Sequence, residues 1–303
     1  MTRVYHLGID VGGTKVAFRV EKDSVCVEET SFSWGARRSA EDDLAQLTAH
    51  VAGLRGRLGA PLAAVGVAMP GTVGPDGRVA TWPSRPEWTG VDLKTALGKL
   101  FPEAAVAWAD DGDLGALAEA RASGCENLLY IGIGTGIGGG LVLGGVPCPG
   151  LGRGSFEIGH IIVEMGGVRC VCGRRGCLQA LASGPATLRR ASLLRGRDVS
   201  FFALQRGLSA GEPWAADALD GTTRALAAAV TGVQELVHPD RALIGGGFAA
   251  GIPEIVPSVA AHLGDFVRQG QVPVPVEPAA LGGLSSLRGA VALAGLVAAG
   301  AVL

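Results

Sequence analysis

Apolar and polar positions along the chain fall into two periodicities. Val4–Asp10 and Val16–Val20 read as two short strands joined by a glycine-rich turn, and Val25–Glu29 extends them as a third. From Ser39 the spacing changes. Leu44, Leu47, Val51, Leu54 and Leu58 recur at three- and four-residue intervals behind a serine cap, which predicts an amphipathic helix. Ala63–Ala68 is a short apolar strand ending at Met69-Pro70-Gly71, and Gly74-Pro75-Asp76-Gly77 is a turn signal. A strand at Ala104–Ala109 precedes a helix at Leu114–Ala122.

The same order of elements then begins again. Leu128–Ile133 is a strand, followed by a second glycine-rich turn and a strand at Gly140–Leu143. After a cysteine-rich loop come helices at Pro185–Leu194 and Glu212–Val237, then a strand at Ala242–Ile244 that runs into a triple glycine. A helix at Pro253–Val267, a strand at Val272–Glu277 and an apolar last helix complete the chain. The repeated strand–turn–strand unit suggests two related α/β halves around a cleft. The expected division is 1–110 together with a returning helix at 285–303, and 111–284 carrying the cysteine loop.

Composition narrows the function classes. The chain has 303 residues, of which 48% are apolar, enough for two cores of ordinary size. Charged residues are 18% and the formal net charge is −2, so there is no electrostatic case for nucleic-acid or anionic-membrane binding. The 49 glycines cluster in short runs, which points to tight backbone loops around a ligand. Met1–His6 leads straight into a strand without an apolar leader, and the Gly289–Leu303 tail is too short to span a bilayer. The expectation is a cytoplasmic protein with no membrane partner.

Three glycine turns follow strands. Asp10-Val11-Gly12-Gly13-Thr14-Lys15 offers a carboxylate for a metal ion, backbone N–H groups for phosphate, a hydroxyl and a cation. It lacks the spacing of a Walker loop, and a plain hairpin turn is the alternative. Gly134-Thr135-Gly136-Ile137-Gly138 repeats the arrangement, so two such turns could clamp a triphosphate, and Gly245-Gly246-Gly247 would let the backbone lie against an adenosine. Asp110-Asp111-Gly112-Asp113 lies between a strand and a helix. A carboxylate there can take a proton from an attacking hydroxyl, although acids at a helix start are also ordinary caps. Asp113 is given that structural role, leaving Asp110 and Asp111 as functional candidates.

Six cysteines are present. Cys170, Cys172 and Cys177, with His160 upstream, supply the four soft or borderline ligands of a closed structural zinc site. Three reduced buried cysteines are the alternative. Cys26, Cys125 and Cys148 are read as small buried residues.

Taken together, the Asp10–Lys15 loop, Pro70-Gly71, Asp110-Asp111-Gly112, the 134–140 turn, Glu157-Ile158-Gly159-His160, the cysteine cluster, Ser183-Gly184 and Gly245–Gly247 resemble the ROK family (repressor, open reading frame, kinase) over essentially the whole length. The resemblance implies a two-domain actin-like fold with an interdomain cleft, of the hexokinase and RNase H-like ATPase class. It implies transfer of phosphate from magnesium-ATP to a hexose, usually at its 6-hydroxyl. Asp111 corresponds to the catalytic base. Gly71, Asp110, Asp111, Glu157, His160 and Gln179 correspond to the sugar-binding positions, with His160 also in the zinc sphere. A homodimer or homotetramer is implied as well. The chain begins almost at its first strand, which leaves no room for the DNA-binding helices of the repressor branch. A non-catalytic sugar sensor remains the alternative of another class.

Three departures from the family pattern bear on the substrate. Asp110 stands where Asn is usual near the sugar O3 and O4, Gln179 where Glu is usual, and Ser84 where glucose kinases often have Asn. An ionised Asp only accepts hydrogen bonds, whereas Asn also donates. An ammonium on C3 would form a charge-assisted bond with Asp110. At an effective dielectric near 20, a unit pair about 4 Å apart is worth roughly 4 kcal/mol before desolvation. A net of about 1.4 kcal/mol already gives tenfold discrimination. The expected substrate is therefore a 3-amino-3-deoxyhexose, with glucose as the alternative. Within the family, the chain resembles the members that act on 3-amino-3-deoxyglucose in antibiotic biosynthesis.

Overall fold

The computed structural model describes residues 4–35, 39–150 and 153–300. Within it the chain forms two compact units. One comprises 1–118, 147–155 and 284–303; the other comprises 119–146 and 156–283.

The first unit opens with β1 (Tyr5–Val11), β2 (Lys15–Lys22) and β3 (Val25–Ser33), an antiparallel meander. α1 (Ala40–Leu58) follows. A reciprocal capping box starts it, in which Ser39 accepts from the Asp42 N–H and Asp42 accepts from the Ser39 N–H. Gly59 ends it with a left-handed φ of 61°. β4 (Leu62–Met69) returns parallel to β1. A small hairpin, β5 (Thr72–Val73) and β6 (Val79–Thr81), and a helix α2 (Leu93–Leu100) then lead to β7 (Ala105–Asp110), parallel to β4. The sheet order is β3-β2-β1-β4-β7.

α3 (Asp111–Ser123) leaves β7 directly. Its Leu114 and Leu117 pack with Ala290 and Leu293 of the last helix, α10 (Ser285–Ala298). This helix is apolar on most sides because it lies against the sheet. Gly66 on β4 makes that possible, since a side chain there would collide with the Ala290 carbonyl and the Ala294 amide. On the other face, Leu47, Val51 and Leu54 of α1 enter a core with Phe18, Trp34, Trp82 and Trp88.

The second sheet repeats the plan. β8 (Leu128–Ile133), β9 (Ile137–Leu143) and β10 (Val146–Cys148) come first, followed by the cysteine loop and α4 (Leu178–Ala182), α5 (Gly184–Arg195), α6 (Phe201–Ser209) and α7 (Pro213–Val237). β11 (Arg241–Gly245), a single-turn α8 (Gly247–Ala250), α9 (Ile255–Phe266) and β12 (Val276–Pro278) complete it. Its sheet order is β10-β9-β8-β11-β12, with β11 parallel to both β8 and β12. The two sheets therefore share one strand pattern, as the repeated motif predicts.

The structure corrects several local expectations. β12 begins at Val276, not Val272, and Val272 is 81% exposed. Pro273 and Pro275 have no N–H to give to a ladder, so the alternating Val-Pro pattern imitates a strand without pairing as one. Cys26 is exposed and Cys125 and Cys148 are half-buried, so none is the buried residue expected. The last helix ends at Ala298, and 301–303 lie outside the described residues. No helix among the described residues is long and apolar enough to cross a membrane.

Candidate active site

In the first unit the candidate residues gather at the carboxyl ends of parallel strands, the usual ligand edge of such sheets. Asp10 pairs with Ala68, and Met69 pairs with Asp110, so one acid lies next to last in β1 and the other ends β7, on either side of β4. Asp111 begins α3, where a Ser286 hydroxyl donates to its carbonyl at 3.0 Å. Asp110 Oδ1 accepts the Gly112 N–H at 2.9 Å, so it is Asp110 that caps α3. Asp113, given the capping role from the sequence, lies in the first turn of α3 and is buried. Gly71 leaves no room for a side chain, with the Thr81 carbonyl 2.8 Å from where a Cβ would stand.

Burial and the charge on Asp111 raise the Asp10 carboxyl to about pKa 6, against a smaller lowering by Lys15. A hard-oxygen donor of this kind, beside a glycine loop and a lysine, fits magnesium on nucleotide phosphates.

The loop after Asp10 is held from outside. The Gly12 N–H donates to the Lys15 carbonyl at 2.9 Å, and the Trp34 N–H donates to the Thr14 carbonyl at 3.0 Å. Trp34 Nε1 donates to the Gly12 carbonyl at 2.7 Å, and Arg85 Nε donates to the Gly13 carbonyl at 3.1 Å. Arg85 is paired with Asp43 at 2.6 Å, and Trp88 Nε1 donates to the same Asp43 oxygen at 2.8 Å. Sequence reasoning missed Trp34, Asp43, Arg85 and Trp88. One signal was available. Asp43 falls on the same helix stripe as Leu47, Val51 and Leu54, and an acid on an apolar stripe must find a partner.

In the second unit the other two glycine turns come together. Gly132 of β8 pairs with Gly138 of β9 and with Gly245 of β11, which makes a band across three strands with no side chains. Gly246 adopts φ 87°, and a Cβ there would strike the Ile133 backbone. Gly134 closes its own turn on the Gly136 carbonyl at 2.9 Å and accepts the Gly184 N–H at 3.0 Å. Thr135 is exposed at the tip, and Gly247 starts α8. Gln179 Oε1 accepts the Ile137 N–H at 2.9 Å, so this side chain also shapes the turn. Glu157 precedes the single 3-10 turn Ile158–His160, and the His160 N–H returns to the Glu157 carbonyl at 2.9 Å. Gly159 is forced to be glycine by the Ile137 carbonyl beside it.

The donor atoms of His160, Cys170, Cys172 and Cys177 all lie within 4.8 Å of one another. Cys172 Sγ is 3.6 Å from Cys177 Sγ, and Cys170 Sγ is 3.7 Å from His160 Nδ1. A tetrahedral zinc with bonds of about 2.3 Å to sulfur needs ligand separations of about 3.8 Å, so the set fits. The cysteines are not disulfide-bonded. The Arg174 N–H draws the Cys172 thiol below its usual range, while burial pushes Cys177 above it.

The ROK family model matches residues 6–296, nearly the whole chain. The chain belongs to the ROK family. It is 88% identical to the kanosamine kinase of Amycolatopsis mediterranei over 298 residues, which is 98% of each chain. The crystal structure of the ROK hexokinase from Thermus thermophilus superposes with a TM-score of 0.88 at 29% identity, covering 98% of this chain and 99% of that one. A ROK glucokinase from Streptomyces griseus, solved with glucose and AMPPNP, matches with a TM-score of 0.76 at 25% identity, covering 96% of this chain and 99% of that one. These neighbours share the two-sheet α/β architecture of the actin-like sugar-kinase fold, as expected from the sequence.

Proposed function

We propose that this protein is an ATP-dependent sugar kinase that phosphorylates the 6-hydroxyl of kanosamine, 3-amino-3-deoxyglucose, in antibiotic biosynthesis. The observation that carries this reading is the 88% identity to a kanosamine kinase along 98% of both chains. Asp110 supports it independently, because an acceptor-only carboxylate suits an ammonium on C3 better than a hydroxyl. The Gly112 N–H fixes the orientation of that carboxylate.

Gly71, Asp110, Asp111, Glu157, His160 and Gln179 are assigned to the sugar. Asp111 takes the proton from the attacking 6-hydroxyl as the phosphoryl group moves. Gly12, Gly13, Thr14 and Lys15, with Gly134, Thr135, Gly136 and Gly138, are assigned to the triphosphate, and Gly245, Gly246 and Gly247 to adenosine. Asp10 is the anchor for magnesium, which when bound offsets charge on the phosphates. A zinc ion on His160, Cys170, Cys172 and Cys177 has a structural role, since protein fills all four positions. It ties the cysteine loop to the turn that carries Glu157. A cytoplasmic location suits the reduced cysteines. A homodimer or homotetramer is the proposed assembly, to be read by light scattering.

The glucose complex of the Streptomyces griseus relative favours glucose as the second reading. ADP release with kanosamine, glucose, glucosamine, N-acetylmannosamine or no sugar tests the proposal, with the product identified by phosphorus NMR. Kanosamine-dependent ADP release and a 6-phosphate product are expected. A rate that no sugar raises above background overturns the kinase reading.

A further inference from the structure

A glycine loop such as the one after β1, left untethered, is free in its backbone. Here two of its consecutive carbonyls are already bound. Trp34 Nε1 holds the Gly12 carbonyl at 2.7 Å, and Arg85 Nε holds the Gly13 carbonyl at 3.1 Å. In a trans peptide the C=O of one residue and the N–H of the next point in opposite directions. Tying the Gly12 carbonyl to Trp34 therefore aims the Gly13 N–H away from Trp34. Tying the Gly13 carbonyl to Arg85 aims the Thr14 N–H away from Arg85. Two successive N–H groups are thus turned to the side opposite the tether, the arrangement that binds anions. Donation from a charged guanidinium also polarises the Gly13–Thr14 peptide and strengthens its N–H as a donor.

The tethers are themselves rigid. Arg85 is 4% exposed and Asp43 is 3% exposed. Asp43 Oδ2 accepts from Arg85 Nη1 at 2.6 Å and from Trp88 Nε1 at 2.8 Å. The Arg85 guanidinium lies 4.7 Å from the centroid of the Trp34 ring, and Trp34 meets Trp88 edge-on at 6.3 Å. Trp34, Trp88, Arg85 and Asp43 thus form one buried network, with Glu87 at 3.7 Å from Arg85 Nη1, and two of its donors end on the glycine loop. A buried charge pair alone is weak evidence for stability, and an apolar pair would fill the same volume. A guanidinium that must also reach a loop carbonyl gives this pair a reason to be charged.

We propose that Arg85 and Trp34, fixed by Asp43 and Trp88, are positioning residues that preset the Gly12–Thr14 backbone for the triphosphate of the nucleotide. This deepens the kinase reading and rests on it for the identity of the nucleotide. Neither residue touches the reacting atoms. Their effect is on nucleotide binding and alignment, while sugar binding is independent of them.

Two variants separate positioning from folding. Trp34→Phe keeps the Arg85–Asp43 pair and most of the ring but deletes the donor to Gly12. Arg85→Lys keeps a cation for Asp43 but cannot hold Asp43 and Gly13 in one planar fork. Steady-state kinetics and thermal shifts with ATP alone and with kanosamine alone are measured on each. The expected result is a KM for ATP raised about tenfold in Arg85→Lys and several-fold in Trp34→Phe, an unchanged KM for kanosamine, and a diminished thermal shift with ATP only. If Arg85→Lys does not fold, Trp34→Phe decides. A folded Trp34→Phe with wild-type KM for ATP overturns the proposal, as does an equal rise in KM for both substrates. The thermal shift also separates the two readings. A wild type that is stabilised by ATP but turns over no sugar defeats the kinase reading, and the variants still test the loop. A wild type that ATP does not stabilise defeats the loop assignment.

Discussion

The charge on Asp111 bears directly on Asp10. After burial, it is the largest influence raising the Asp10 carboxyl to about pKa 6 from an ordinary value of 3.8. Asp10 lies near the carboxyl end of β1 and Asp111 begins α3 directly after β7, so their like charges repel across one edge of the sheet.

This has a consequence for stability in the absence of magnesium. A carboxyl raised on folding contributes stability below its unfolded pKa, and that contribution is lost as pH rises from 3.8 through 6. Asp10→Asn removes the charge that burial penalises. The variant is expected to melt several degrees above wild type at pH 8 and to converge with it near pH 4. The full effect is at most about 3 kcal/mol. Melting curves across this range check it, and a constant difference at all pH values contradicts it. Asp111→Asn moves the midpoint of the effect below pH 6.

Asp111→Asn also isolates the proton acceptor. Asn is nearly isosteric and keeps the carbonyl that Ser286 holds, so fold and sugar affinity are expected to survive. Loss of a general base lowers kcat by about 10²–10⁴-fold. Calorimetric sugar binding alongside kcat checks both halves, and full turnover removes Asp111 from the role.

Metal analysis of purified protein is expected to find about one zinc per chain, reduced in Cys172→Ser. A chelator strong enough to strip it should lower the melting temperature, because a filled four-ligand site contributes folding energy. A stable wild type that contains no metal defeats the zinc assignment.

Much of this was legible in the sequence because its signals are local. Each glycine turn directly follows a strand, the cysteines lie on one loop, and the Ser39 cap begins a long apolar stripe. α2, α4 and α6 left weaker traces. They run for 8, 5 and 9 residues, shorter than the roughly 11–18-residue stretch over which a helical period stands out in a sequence. α2 is nevertheless capped by Asp92, which accepts the Thr95 N–H at 2.8 Å, and α6 by Ser200. The Arg85 tether was invisible for a different reason. Its ends lie 72 residues apart in sequence, so only folding brings Arg85 to the Gly13 carbonyl. Gln179 shows the limit of reading a residue by its family position. Its oxygen shapes the Gly136–Ile137 turn, a contact that sequence spacing gave no reason to expect.

Selection of an amino sugar by Asp110 is read from the kcat/KM ratio for kanosamine over glucose in wild type and in Asp110→Asn. The wild-type ratio is expected to be at least about ten and to fall about tenfold in the variant, mainly through a higher KM for kanosamine. A wild type that uses glucose equally well, or an Asn variant with an unchanged ratio, contradicts it.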